Sequence, residues 1–162
     1  MTTVIDPSIF RQILGHYPTG VCAITAMQSD DVPAAMIVGS FTSVSLDPPL
    51  VAFFPDKRSS SWPKIEAAGR FCVNILGDAQ EGLCRVLASK DQNKFDGVPH
   101  HLSTLGSPVL DGALAWIDCT IHAVHDAGDH HIVLGAVHGL DVHHPGVPLL
   151  FHRGAYGRVM PL

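Results

Sequence analysis

The groups in this sequence best suited to chemistry are hydroxyls and cations gathered in two short stretches. Gly39-Ser40-Phe41-Thr42-Ser43-Val44-Ser45 is dense in hydroxyls beside a predicted strand end, and Lys57-Arg58-Ser59-Ser60-Ser61 follows a strand and leads into a predicted helix. Backbone N–H groups at a helix start favour an anion. Nearby hydroxyls and a lysine or arginine add charge-assisted hydrogen bonds, so phosphate binding at residues 57 to 61 is chemically sensible. A helix N-cap with spare serines explains the same pattern.

Eleven histidines invite a metal hypothesis. His122 and His125 form an HxxH, but on a strand residues i and i+3 point to opposite faces and cannot chelate jointly. The pairs His100-His101, His130-His131 and His143-His144 diverge for the same reason, so no metal site is expected. Cys22, Cys72, Cys84 and Cys119 are widely spaced among apolar neighbours and form no CxxC, as reduced, buried cysteines do. No GxG, Walker P-loop, GxSxG or HExxH occurs. A nucleotide bound here is therefore not held by the common glycine-rich devices.

The elements that must position these residues are mostly strands. Asp6-Pro7 is an N-cap and first-turn pair, and Ile9, Phe10, Ile13 and Leu14 form one apolar helical stripe ended by Gly15 and Pro18. Val21, Ala23 and Thr25 open a β-like run, Ala35 to Val44 and Leu50 to Phe54 read as two more strands, and Pro48-Pro49 separates them. A short helix is predicted from Ser61 to Gly69, then a strand over Phe71 to Leu76. Asp78 with Glu81 resembles a capping box for a helix carrying Leu83, Val86 and Leu87. Residues 89 to 112 are polar and Gly/Pro-rich and are expected to form a long loop. A hairpin follows: Ile117, Cys119, Ile121 and Ala123 alternate with Trp116, Asp118, Thr120 and His122 as in a half-buried strand. The chain turns at Ala127-Gly128-Asp129 and returns from His131 to Leu140. Leu149 to Phe151 and Tyr156 to Val159 complete the set. Many strands with few helices predict a β-barrel with small helical additions.

The chain has 162 residues, which suits one domain spanning 1–162. Apolar residues make up 46% and charged residues only 15%, below the usual quarter. So sparse a charged surface predicts that part of it is covered, most economically by a second copy. The net charge of −5 argues against a general nucleic-acid binder. No 18-residue apolar run is present, and MTTVIDPSIF lacks a basic-then-apolar signal pattern. A cytoplasmic protein, with no membrane segment, is the expectation.

Six motifs in order give the sequence a family resemblance: PTGV (Pro18 to Val21), SFTSVSLDPPLV (Ser40 to Val51), FCVNIL (Phe71 to Leu76), KF (Lys94-Phe95), GDH (Gly128 to His130) and PLLFHRGAY near the C-terminus. Together they resemble the short-chain flavin reductases from about Phe10 to Tyr156. GRFCVN, DCT and GDH further resemble the reductase partners of aromatic and sterol-ring hydroxylases. The resemblance implies a split β-barrel, mainly β with a few short helices. It implies use of NADH or NADPH to reduce FMN or FAD, and supply of reduced flavin to the oxygenase of a two-component monooxygenase. It also implies a homodimer with flavin near the subunit interface. By the same resemblance the flavin ring and ribityl chain lie along Val38, Gly39, Ser40, Phe41, Thr42 and Ser45. The phosphate sits at Lys57, Ser59, Ser60 and Ser61, with Lys94 and Phe95 close by. His130 faces the ring where the nicotinamide stacks, and Tyr156 helps hold the dinucleotide.

Two positions depart from the family pattern. Ile37 stands where a threonine is common and offers no hydroxyl. Gly39 replaces a polar side chain, although glycine permits close backbone approach. His130 has a simpler reading as a turn histidine after Gly128-Asp129. A non-catalytic flavin- or haem-binding split-barrel protein is the rival from another functional class, and NAD(P)H turnover separates the two.

Overall fold

The computed structural model describes residues 4–162. The first three residues of the N-terminal stretch read above for a signal pattern lie outside them. In chain order the elements are α1 (Pro7–Leu14), β1 (Thr19–Gly20), β2 (Cys22–Met27), β3 (Pro33–Val38), β4 (Thr42–Leu46), β5 (Pro49–Phe53), α2 (Trp62–Ala68), β6 (Arg70–Ile75) and α3 (Glu81–Leu87). Then follow β7 (His100–Leu102), β8 (Pro108–Leu110), β9 (Ala115–Ala127), β10 (His130–Val142), β11 (Leu149–His152) and β12 (Ala155–Arg158). The protein is mainly β, with few and short helices. Among the described residues no helix is long and apolar enough to cross a membrane.

Seven strands form one antiparallel sheet in the order β3-β2-β6-β9-β10-β5-β4. A flat sheet of this size would hold its two edges roughly 29 Å apart, at about 4.8 Å per strand spacing. Yet the edge strands β3 and β4 are joined by residues 39–41 alone, a link that reaches at most about 15 Å. The sheet must therefore curl until its edges face each other, and residues 39–41 cross the resulting seam. The expected single strand from Ala35 to Val44 is thus two strands on opposite edges. Local contacts hold the break: Ser40 Oγ accepts from Phe54 N at 3.0 Å. A Cβ added to Gly39 would come within 2.6 Å of Thr19 Oγ1. The close approach that Gly39 permits is first of all to Thr19.

The curled sheet encloses one core, and a second lies on the outside of β2 and β6. Ile24, Phe53, Trp62, Ile65, Phe71, Val73 and Val133 pack in the first. Val21, Ala23, Leu76, Cys84, Leu87, Leu110 and Leu149 pack in the second. β2 alternates between the two, which is why five of its six residues are buried. Phe71 fills the first core edge-on to Phe53, with ring centroids 5.1 Å apart. Gly135 makes room for it: a Cβ there would lie 2.6 Å from Phe71 Cζ and 3.2 Å from Cys119 Cβ. Gly135→Ala is expected to overpack the site and cost about 1–3 kcal/mol. Chemical denaturation should show a lower midpoint with an unchanged slope.

Three other expectations need correction. Residues 89 to 112 are not a bare loop, because β7 and β8 form a hairpin within them. Buried side chains pin that hairpin to the sheet: Asn74 Oδ1 accepts from Leu110 N at 2.8 Å, and Thr25 Oγ1 donates to Pro108 O at 2.5 Å. The half-buried alternation of β9 fails at Asp118, which is 1% exposed. The segment before β8 folds over that face, and Asp118 Oδ2 accepts from Leu105 N at 3.0 Å. The Asp78–Glu81 capping box does not form either. Gln80 Oε1 instead accepts from Gly77 N at 3.0 Å, and Glu81 pairs with Arg85 at 2.7 Å.

At the N-terminus, Asp6 caps α1 by accepting from Ser8 N at 2.7 Å. The helix forms as its pattern predicts, but its apolar stripe does not enter either core. Ile9, Phe10, Ile13 and Leu14 are each at least half exposed.

Candidate functional site

The segment before α2 shares a cavity with Met36 and Ile37, the residues of β3 that lead into the seam. Val38 is buried at the end of β3, Phe41 packs against the first core, and Thr42 opens β4. The N–H groups of residues 39–41 lie outside both strand ladders. Ser45 lies next to a register shift in the β4–β5 ladder, a bulge of the kind that re-aims side chains beside functional sites. Toward the start of β3, Met36 and Ile37 line a cavity of about 240 Å³ together with Arg58, Ser60, Ser61 and Lys94. This cavity abuts a larger one of about 380 Å³, which shares Ser60, Ser61, Ser89, Lys90 and Lys94. Lys94 links the segment before α2 to the loop after α3, its Nζ donating to Ser61 Oγ at 3.3 Å and to Ser89 O at 3.4 Å. Burial, followed by the charge of nearby Lys64, pushes the Lys94 ammonium below the usual lysine range.

The serines before α2 divide their roles. Ser59 Oγ accepts from Ser61 N and from Trp62 N, each at 3.2 Å. That hydroxyl starts the helix, as the plain capping reading requires, while Ser60 and Ser61 line the cavity. Lys57 turns away: its Nζ pairs with Asp126 Oδ1 at 3.0 Å. The cations that do line the cavities are Arg58, Lys64, Lys90 and Lys94. Arg58 is itself held by Asp56 at 2.8 Å. Lys64 and Lys90 were missed in the sequence because nothing local distinguishes an exposed lysine that faces a cavity. The one available signal was the recurrence of Lys90 and Lys94 just after a predicted helix. Phe95 is 8% exposed, packs edge-on to His100 at 5.1 Å and lines the larger cavity.

His130 opens β10 directly after the Gly128 turn, where Gly128 has φ +66°. Its backbone forms an isolated bridge to Asp56, which ties the hairpin tip to the segment before α2. His130 Nδ1 pairs with Asp129 Oδ1 at 2.7 Å, leaving Nε2 as the edge open to a ligand. That bond and the imidazole charge hold the Asp129 carboxyl below the usual range. His131 behaves differently. Its ring packs against Trp62, with centroids 6.1 Å apart, and its Nδ1 lies 3.7 Å from Asp126.

Tyr156 is not brought to this region. Its hydroxyl shares a hydrogen bond with Cys84 Sγ at 3.2 Å, and the Arg85 guanidinium lies 4.7 Å over its ring. The hydrogen bond to Cys84 and then burial push its phenol up to about 12. It lines a separate cleft with Asp78 and Arg158. Local sequence does not reveal that β12 packs this tyrosine against α3. The four cysteines are free and buried, and burial pushes the Cys22 thiol up to about 12. His101, His143 and His144 do converge, with centroids 5.6 and 4.4 Å apart. No set of three ligands able to hold a metal occurs among the described residues.

A curled antiparallel sheet with a cationic, hydroxyl-lined cavity beside its seam defines a class, and the comparisons agree with it. Residues 14–160 match the flavin reductase like domain, and the chain belongs to that family. A flavin reductase from Pseudomonas putida is 59% identical over 155 residues, covering 96% of this chain and 91% of that one. The reductase subunit HsaB of a flavin-dependent monooxygenase from Mycobacterium tuberculosis is 48% identical over 164 residues, covering 99% and 87%. Among solved structures, nitrilotriacetate monooxygenase component B from Mycobacterium thermoresistibile superposes with a TM-score of 0.92. It is 48% identical and covers 95% of this chain and 87% of that one.

Proposed function

We propose that the whole chain, 1–162, is one split-barrel domain that uses NADH or NADPH to reduce FMN or FAD and supplies the product to a partner monooxygenase. The observation that carries this reading is the Lys94–Ser61 pair, 3.3 Å apart, in a cavity also lined by Met36 and Ile37, which lead along β3 into the seam at 38–42. A flavin fits this donor set. The N–H groups of 39–41 lie free of the ladders for its ring and ribityl chain, with Thr42 and Ser45 beside them. Ser60, Ser61 and Lys94 suit its phosphate. Lys57 and Ser59 contribute indirectly, by holding the hairpin tip and starting α2.

Bound flavin supplies a ring that accepts a hydride from nicotinamide C4. The protein's own work is to hold that ring and present the nicotinamide face to face with it. Such positioning can remove roughly 7–11 kcal/mol from a barrier. His130 is the group we assign to the nicotinamide side, oriented by Asp129 so that its Nε2 edge is presented to the dinucleotide. Tyr156, the other residue of the sequence-based assignment, lies with Cys84 and Arg85 at a separate cleft. Purified protein mixed with NADH and free FMN or FAD should consume NADH when followed at the nicotinamide absorbance. Flavin binding without turnover would instead support a carrier or sensor.

The serine roles can be separated. Ser59→Ala is expected to lower stability by about 1 kcal/mol through loss of the cap and to leave flavin affinity nearly unchanged. Ser59→Ala combined with Ser61→Ala should weaken flavin binding about tenfold, as loss of a charge-assisted bond predicts. Fluorescence titration of both variants, with thermal melts alongside, distinguishes a cap from a phosphate contact.

We further infer a cytoplasmic homodimer in which the exposed stripe of α1 (Ile9, Phe10, Ile13 and Leu14) is covered by a second copy. Contiguous apolar surface of this kind marks an association face. Light scattering should give twice the chain mass, and Phe10→Asp should reduce it to the monomer value.

A further inference from the structure

We propose that this site is built for a flavin dinucleotide, with Lys64 as the residue that selects FAD over FMN. The inference rests on the flavin site proposed above and names which flavin it takes. The two cavities are arranged in sequence along β3. The seam is at 38–42, the smaller cavity at Met36 and Ile37, and the larger cavity at Pro33, Ala34 and Ala35. At about 3.3 Å per residue, the far end of the larger cavity lies on the order of 15 Å from the seam. A mononucleotide ends at its single phosphate, which Ser60, Ser61 and Lys94 satisfy in the smaller cavity. The adjoining space is the larger of the two and shares Ser60, Ser61 and Lys94 with it.

Its lining suits the second half of a dinucleotide. Lys64 is positioned for a second phosphate, and it is close enough to Lys94 that its charge depresses that ammonium. Lys64, Lys90 and Lys94 have no Asp or Glu ion-pair partner among the described residues. Three unpaired lysines against the single carboxylate of Asp91 around one pair of cavities, on a chain of net charge −5, mark a place for an extended anion. Pro33 and Phe95 give the larger cavity apolar lining for an adenine, and Gln92 lines it with a donor and an acceptor for ribose or base.

The test is a titration of the purified protein with FMN and with FAD, read by flavin fluorescence and by calorimetry without nicotinamide. FAD should bind at least tenfold more tightly than FMN. Lys64→Ala should erase most of that difference by weakening FAD while FMN affinity stays within about twofold, and Lys64→Arg should restore it. Lys64 is exposed, so the variant is expected to fold, and retained FMN binding would show that it has. Equal affinities, or an FAD preference that survives Lys64→Ala, would overturn the proposal while leaving the flavin site itself intact. A Lys64→Ala effect confined to the NADH Michaelis constant would assign the larger cavity to the nicotinamide dinucleotide and overturn it too. Failure of both flavins to bind would remove the flavin site and this inference with it.

Discussion

Lys94→Ala is expected to weaken flavin binding by tenfold or more while leaving the fold intact. The ammonium is half-buried between Ser61 and the backbone carbonyl of Ser89, at 3.3 and 3.4 Å, and it donates to no carboxylate. Burial has already been accepted for a charge that the free protein does not neutralise, as a prepared anion site requires. A charge-assisted bond to phosphate contributes about 1.5–3 kcal/mol, which corresponds to roughly ten- to more than a hundredfold in affinity. The same residue predicts a pH dependence. A bound phosphate favours the charged lysine, so affinity is fully present below the free-protein pKa and falls as pH rises through it. Because burial and Lys64 lower that pKa, the alkaline loss should begin below the usual lysine range. Titrations across alkaline pH should show this loss in the wild type, and Lys94→Arg should move it to higher pH. An unaltered affinity in Lys94→Ala would show that the cavity beside Ser61 is not where the phosphate binds.

His130→Ala is expected to lower kcat/KM for NADH by about ten- to a hundredfold, with flavin affinity nearly unchanged. The estimate follows from the sensitivity of a positioned hydride transfer to small displacements. Asp129 fixes the imidazole through Nδ1, so Asp129→Asn should reproduce part of the loss in kcat/KM. His131→Ala is the neighbouring comparison, but it carries a stability effect of its own. Its ring lies against the buried Trp62, so its kinetics should be read together with a melting curve. Steady-state kinetics in NADH paired with flavin titration decides the assignment. Wild-type kcat/KM in His130→Ala, or loss of flavin instead of NADH use, would remove His130 from the nicotinamide site.

Much of the fold and part of the site could be read from residue order. Asp6-Pro7 started α1, the Gly128 turn closed the long hairpin, and strand-like runs marked most of the ladder, because caps, turns and alternation are local. The hydroxyl stretch at 39–45 and the serines at 59–61 were visible as chemistry for the same reason. Tertiary structure decided the rest. Only the curl of the sheet makes residues 39–41 a seam between opposite edges and not the middle of one strand, since the pairing partners of β3 and β4 are distant in sequence. A side chain's partner is likewise settled in three dimensions. Lys57 turns to Asp126, Ser59 is spent on the helix start, and Tyr156 turns inward to Cys84. Lys64 from α2, and Lys90 and Lys94 from the segment after α3, come to one pair of cavities. Sequence alone supplied the charges and hydroxyls, and long-range strand pairing determined which of them were left free to meet a ligand.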